Sequence, residues 1–151
     1  MNVNPVDSGA TKVIVVSGAR SNVGKTQLAR ALCELLPGAV RVKIGHHQPK
    51  PGGDDHLYPL GTGFASIAAE HHEAPFLIIE SNSILEEVTP ACAIYLGADN
   101  PKPSAAIALK KADIIRGEPV SAAKITLLAK RLECDETIIR KIVALSGARQ
   151  G

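Results

Sequence analysis

The chain has 151 residues, 45% hydrophobic and 21% charged, with a net charge of +2, the balance of one globular domain with a sizeable core. Aromatics are only 3%, so Val, Ile, Leu and Ala must fill that core, which suits a parallel α/β sheet better than an aromatic-rich sandwich. So small a charge, with no aromatic-and-basic cluster, argues against nucleic acid as a partner, and no apolar run reaches membrane-spanning length.

Residues 1–11 are polar, lack the apolar core of a signal peptide and read as a flexible tail. Val13 to Val16 is an unbroken β-branched run, a strand buried on both faces. Ala19-Arg-Ser-Asn-Val-Gly-Lys-Thr26 follows and fits the phosphate-loop pattern, with alanine where the first glycine often stands. Gly24 has no Cβ, so backbone can approach phosphate there. Backbone N–H groups across Ser21, Asn22, Val23, Gly24, Lys25, Thr26 and Gln27 are candidates to cradle an anion at a helix N-terminus. Lys25 can reach the β- and γ-phosphates, and the Thr26 hydroxyl can bind Mg²⁺. The helix is predicted over Gln27 to Leu36, with Leu28, Ala31, Leu32 and Leu35 on one face and Pro37-Gly38 ending it.

A second strand is predicted over Ala39 to Ile44, with Arg41 alternating outward and Lys43 solvated or facing the site. Gly45 to Gly63, rich in Gly, Pro, His and Asp, reads as a long loop, a kind of segment that is usually functional or disordered. His46, His47, Asp54, Asp55 and His56 lie in it. They can face the phosphates, with His as an anion donor and Asp54 as a Mg²⁺ or water ligand. They can also capture a transition metal, or form a polar loop without a ligand. A helix is predicted over Phe64 to His71, where His71-His72 suit the helix dipole. Phe76 to Glu80 reads as a strand closing on a carboxylate. Glu80 stands at the strand edge where α/β folds place ligands, and it can hold Mg²⁺ directly or through water.

A short helix over Ile84 to Val88, a strand over Ala91 to Leu96, a helix over Ser104 to Lys111 and a strand over Asp113 to Ile115 follow. Gly97-Ala-Asp-Asn-Pro-Lys102 and Arg116-Gly117 are weak candidates to approach a nucleotide base. Ser121 to Leu132 and Glu136 to Leu145 are helical in period, with Asp135 a plausible N-cap; they pack on the sheet or form an appended pair. Cys33, Cys92 and Cys134 match no zinc or redox spacing and read as buried thiols of a cytoplasmic protein. Strands alternating with helices give the fold class: α/β, a three-layer P-loop NTPase with a mostly parallel sheet and helices on both faces. The nucleotide-binding domain is expected over 12–118 and the helical pair over 119–151.

With these residues in view, the chain resembles the molybdopterin-guanine dinucleotide biosynthesis protein B family of P-loop NTPases. The resemblance is carried by the phosphate loop, Val42-Lys-Ile-Gly-His-His47, Asp54-Asp-His-Leu-Tyr-Pro-Leu-Gly-Thr-Gly63 and Leu77-Ile-Ile-Glu80, over roughly residues 12–100. It implies GTP (or ATP) and Mg²⁺ as cofactors, hydrolysis that is weak at most, and an accessory role beside a nucleotidyltransferase that attaches GMP to molybdopterin. Lys25 and Glu80 would then be the catalytic pair, Thr26 and Glu80 would serve the metal, and His46-His47 would lie on the pterin or phosphate side. The partners implied are molybdopterin, the transferase or another maturation protein, and a second copy of the chain in a homodimer. Two departures stand out: Glu80-Ser81-Asn82 replaces the family's Glu-Gly, and the part after residue 100 does not follow its pattern. The loop Gly18 to Thr26 also resembles that of dethiobiotin synthetase, an ATP-dependent ligase, and the His-rich loop resembles nickel-delivery GTPases. A small-molecule ligase or kinase and an NTP-gated metallochaperone therefore stand beside the accessory reading.

Overall fold

A computed structural model of the chain describes residues 11–19, 24–45, 56–97 and 105–150. The β-branched run becomes β1 (Lys12–Gly18), the centre of the molecule. Its Ile14, Val15 and Val16 are wholly buried, which a strand achieves only when both of its faces are covered. The remaining elements follow as α1 (Lys25–Leu35), β2 (Val40–Ile44), β3 (His56–Tyr58), α2 (Phe64–Glu70) and β4 (Phe76–Glu80). After a 3₁₀ turn at Ser83–Glu86 come β5 (Cys92–Leu96), α3 (Ala106–Lys111), β6 (Ile114–Ile115), β7 (Pro119–Val120), α4 (Ala122–Leu132), α5 (Glu136–Ser146) and β8 (Arg149–Gln150).

Six strands form one sheet in the order β3-β2-β4-β1-β5-β6, every neighbouring pair parallel. All their C-terminal ends therefore share one edge. The period of two along each strand divides the core. Ile14, Val16, Ile78 and Ile94 pack with Leu28 and Leu32 of α1 and with Ile125, Leu128, Ile139 and Val143 of α4 and α5. Val15, Val42, Ile79 and Tyr95 pack with Ile67 of α2, with Ile84 and Leu85 of the 3₁₀ turn, and with Ala108 of α3. The result is the three-layer α/β architecture that the strand–helix alternation predicts. The C-terminal helices belong to the same core as the phosphate-loop strand, so residues 119–150 pack on the sheet.

Several elements differ from expectation. His56–Tyr58 is a strand inside the segment read as loop, pairing Val42 with His56 and Ile44 with Tyr58. Three residues between Asp55 and Pro59 show no readable period, and only the partner strand defines them. The two-residue strands β7 and β8 pair in parallel as a separate ribbon. The expected helix over Ile84 to Val88 is instead the 3₁₀ turn, begun by Ile84 N–H donating to Ser81 Oγ at 3.2 Å. In α1, Ala29 rather than Ala31 is fully buried beside Leu28 and Leu32. Ser121 is the N-cap of α4, its Oγ accepting from Lys124 N–H at 3.1 Å. Asp135 occupies the N-cap position of α5 without a side-chain cap bond. Among the described residues no helix is long and apolar enough to cross a membrane.

Candidate functional site

The C-terminal ends of β1 and β4 meet the N-terminus of α1. Gly24, with φ 98°, precedes the first helical residue, Lys25. This positive φ is where glycine is at ease and other residues are strained. In the first turn, the Thr26 hydroxyl donates to Glu80 Oε1 at 2.8 Å. Glu80 is 2% exposed, and a carboxylate so buried needs a counter-charge. Arg41 supplies it, with Nη1 3.4 Å from Glu80 Oε2 and only 10% of the Arg41 side chain exposed. Arg41 thus turns into the protein, against the outward reading. Val42 and Ile44 commit the other face of β2 to the core, so Arg41 and Lys43 share the α1 face, with Lys43 in register with Glu80.

A second device holds the C-terminal end of β1. Gly18 N–H donates to Asn82 Oδ1 at 3.0 Å, and Asn82 Nδ2 donates to Gly18 O at 2.8 Å. Both backbone groups of Gly18 are thereby satisfied by one side chain. Ser81 N–H donates to Val16 O at 3.1 Å, and Ser17 Oγ donates to Ile94 O at 3.0 Å, so β1 is tied to both neighbours just before the loop. Ser81-Asn82, legible in the sequence only as a departure from Glu-Gly, has here a positioning role that sequence reasoning missed.

From the far side comes Arg116, directly after β6. Its backbone N–H donates to Tyr95 O at 3.0 Å and its Nε to Ser146 O at 3.4 Å. A Cβ built on Gly24 would lie 3.3 Å from Arg116 Nη2. The guanidinium therefore lies beside Gly24.

The structure gathers Gly24, Lys25, Thr26, Gln27 and Glu80 at one sheet edge. Ser21, Asn22, Val23, His46, His47, Asp54 and Asp55 lie outside the described residues, as do residues 98–102 of the first base candidate. Of the candidate ligand residues in the His-rich loop only His56 is described. Its ring meets that of His71 edge-on, with centroids 4.7 Å apart. Tyr58 Oη bonds to Glu70 and lies 3.0 Å from His71 Nε2. Burial, then the neighbouring His56, lowers the His71 pKa. Burial, then the hydrogen bond to Glu70, pushes Tyr58 up to about 12. His72 Nδ1 lies 3.0 Å from Ala69 O in the last turn of α2. Among the described residues no group of three or more His, Cys, Asp or Glu side chains is placed to hold a metal. The three cysteines are unbridged; Cys92 alone is fully buried, and burial raises its pKa, while Cys33 and Cys134 are partly exposed.

The Thr26–Glu80 pair offers adjoining hydroxyl and carboxylate oxygens, the hard donors that Mg²⁺ takes one or two at a time beside phosphate and water. The donor set at this edge fits that ion. No family model, no curated protein and no solved structure matches the chain.

Proposed function

We propose that the chain binds a nucleoside triphosphate with Mg²⁺ where β1 and β4 end against α1. The observation that carries this reading is the Thr26–Glu80 contact at the start of α1, with Lys25 beside it. A phosphate loop needs a cation for the β/γ-phosphates, a hydroxyl for the metal and a strand-end carboxylate near that hydroxyl. Lys25, Thr26 and Glu80 supply these three groups, and the N–H groups of the first turn of α1 add the partial positive charge of a helix N-terminus. When bound, Mg²⁺ neutralises charge on the β- and γ-oxygens. Thr26 and Glu80 would hold it, Lys25 would bind and orient the phosphates, and Arg41 would hold the Glu80 carboxylate in place. Turnover is slow in this reading, because the groups that carry it bind phosphate and metal rather than orient an attacking water.

The accessory role in molybdenum cofactor maturation, beside a nucleotidyltransferase, is proposed on the sequence resemblance alone. The geometry supports the phosphate side of that proposal. The test is a titration of the protein with ATP and GTP, with and without Mg²⁺. Saturable binding of one or both, strengthened by Mg²⁺ and accompanied by little steady hydrolysis, is the expected result. An absence of binding to either nucleotide overturns the reading.

A further inference from the structure

We infer that Arg116 is a phosphate-binding arginine, delivered to the phosphate loop by the C-terminal part of the chain. The inference rests on the nucleotide reading and assigns a further residue to its site. Arg116 is exposed and stands at the same sheet edge as Thr26 and Glu80, but it comes from the opposite side, after β6. Its stem runs across the C-cap of α5. A Cβ on Gly147 would lie 3.2 Å from Arg116 Cγ and 3.3 Å from its Nε. Gly147 has φ 82°, so glycine serves the helix cap and the arginine's path together. Nε donates to Ser146 O at 3.4 Å, which fixes the fork beyond it. The turn is closed by Gly117 N–H donating to Gly147 O at 3.0 Å and Arg149 N–H donating to Glu118 O at 2.9 Å. At the far end of this scaffold, Nη2 lies beside Gly24.

A cation is an unfavourable neighbour for a helix N-terminus, whose partial charge is also positive. Arg116 Nη2 lies beside Gly24 at the start of α1, so a polyanion at that turn would meet the guanidinium and the helix N-terminus together. Arginine suits such a ligand because its planar fork offers paired donors to phosphate oxygens. The chemical class is thus the polyphosphate of a nucleoside triphosphate, and the C-terminal helices gain a role as the mount for this side chain.

Calorimetric titration of the full chain with MgATP, MgGTP and magnesium tripolyphosphate tests the assignment. Arg116→Gln keeps the stem on Gly147 and removes the charge. Its affinity for the triphosphates and for tripolyphosphate falls about 10- to 100-fold, with the melting temperature of the unliganded protein unchanged, and Arg116→Lys recovers part of the loss. Lys25→Ala in the same assay separates the two readings. Loss in Lys25→Ala with wild-type affinity in Arg116→Gln overturns the role of Arg116 and leaves nucleotide binding standing. Wild-type affinity in both variants overturns nucleotide binding at this loop and the inference with it. A loss confined to the nucleotides, with tripolyphosphate unaffected, places Arg116 on the nucleoside and overturns the phosphate assignment. If the variants unfold, phenylglyoxal labelling of the wild-type chain decides: MgATP or MgGTP protects Arg116, and an unchanged labelling rate there overturns the inference.

Discussion

Thr26 and Glu80 are 54 positions apart in the chain and 2.8 Å apart at the hydroxyl and Oε1. The contact joins the first turn of α1 to the end of β4, and Arg41 holds the other carboxylate oxygen. Glu80→Gln keeps the shape and the hydrogen-bond acceptor for Thr26, but it leaves the buried Arg41 guanidinium facing a neutral amide. Breaking a buried pair from one side costs about 3–5 kcal/mol. Urea unfolding measures that loss. The Mg²⁺ dependence of nucleotide binding also weakens in Glu80→Gln, and a variant with full stability and unchanged Mg²⁺ dependence contradicts both roles.

Asn82 satisfies the N–H and the C=O of Gly18 together. Asn82→Ala removes both bonds and lowers stability by about 1–3 kcal/mol, the cost of leaving a partly buried polar group unpaired. The sharper readout is local. Amide exchange at Gly18 accelerates in the variant, while exchange in β5 follows global stability alone. Equal protection of Gly18 in both proteins would mean that the clamp contributes nothing.

The parts of this architecture that are local in sequence were legible there. Val13 to Val16 is β-branched throughout, and a run of that kind suits a strand buried on both faces, which Ile14, Val15 and Val16 are. Gly24-Lys-Thr26 announces a strand-to-helix turn by residue type alone. Arg41 was misread because its orientation depends on β4. A charged residue in an alternating strand reads as solvated until a buried carboxylate is placed near it, here Glu80, two positions along β4 from Ile78, the register partner of Arg41. Asn82 and Arg116 were undervalued for the same reason, since each bonds backbone distant in sequence, 64 positions away for Asn82 and 30 for Arg116. His56–Tyr58 was missed because a three-residue edge strand carries too few positions for a period, and β2 alone defines it.

The β3–α2 corner predicts a pH dependence. Burial and His56 lower the His71 pKa, so the folded protein favours neutral imidazole. The unfolded chain then binds the proton more readily, and stability rises with pH through this window. The contribution of His71 is complete above its ordinary value of about 6.5 and is lost as pH falls towards the lowered folded value. Tyr58 acts in the opposite direction. Raised to about 12, it contributes below its ordinary value and loses that contribution as pH rises through the folded one. Melting temperature is expected to fall on acidification below neutrality. His71→Gln should flatten the acid limb and leave the alkaline limb in place. An acid limb identical in both proteins would assign the dependence elsewhere.

Leu128 of α4 is fully buried in the cluster that contains Ile14 and Val16 of β1, Leu28 and Leu32 of α1, and Ile139 and Val143 of α5. Leu128→Ala removes methyl groups from the place where the C-terminal helices meet the sheet. A large-to-small change in a packed core costs about 2–5 kcal/mol, the spread reflecting how far the site collapses. Because this one cluster spans both parts of the chain, the loss should appear as a lower melting temperature in a single transition, with calorimetric and van't Hoff enthalpies still equal. A separate, earlier transition would mean that residues 119–150 unfold as an independent unit. The Ser146–Gly147 mount of Arg116 would then be released while the phosphate-loop strand remained folded, so nucleotide affinity measured between the two transitions would fall to the value of Arg116→Gln.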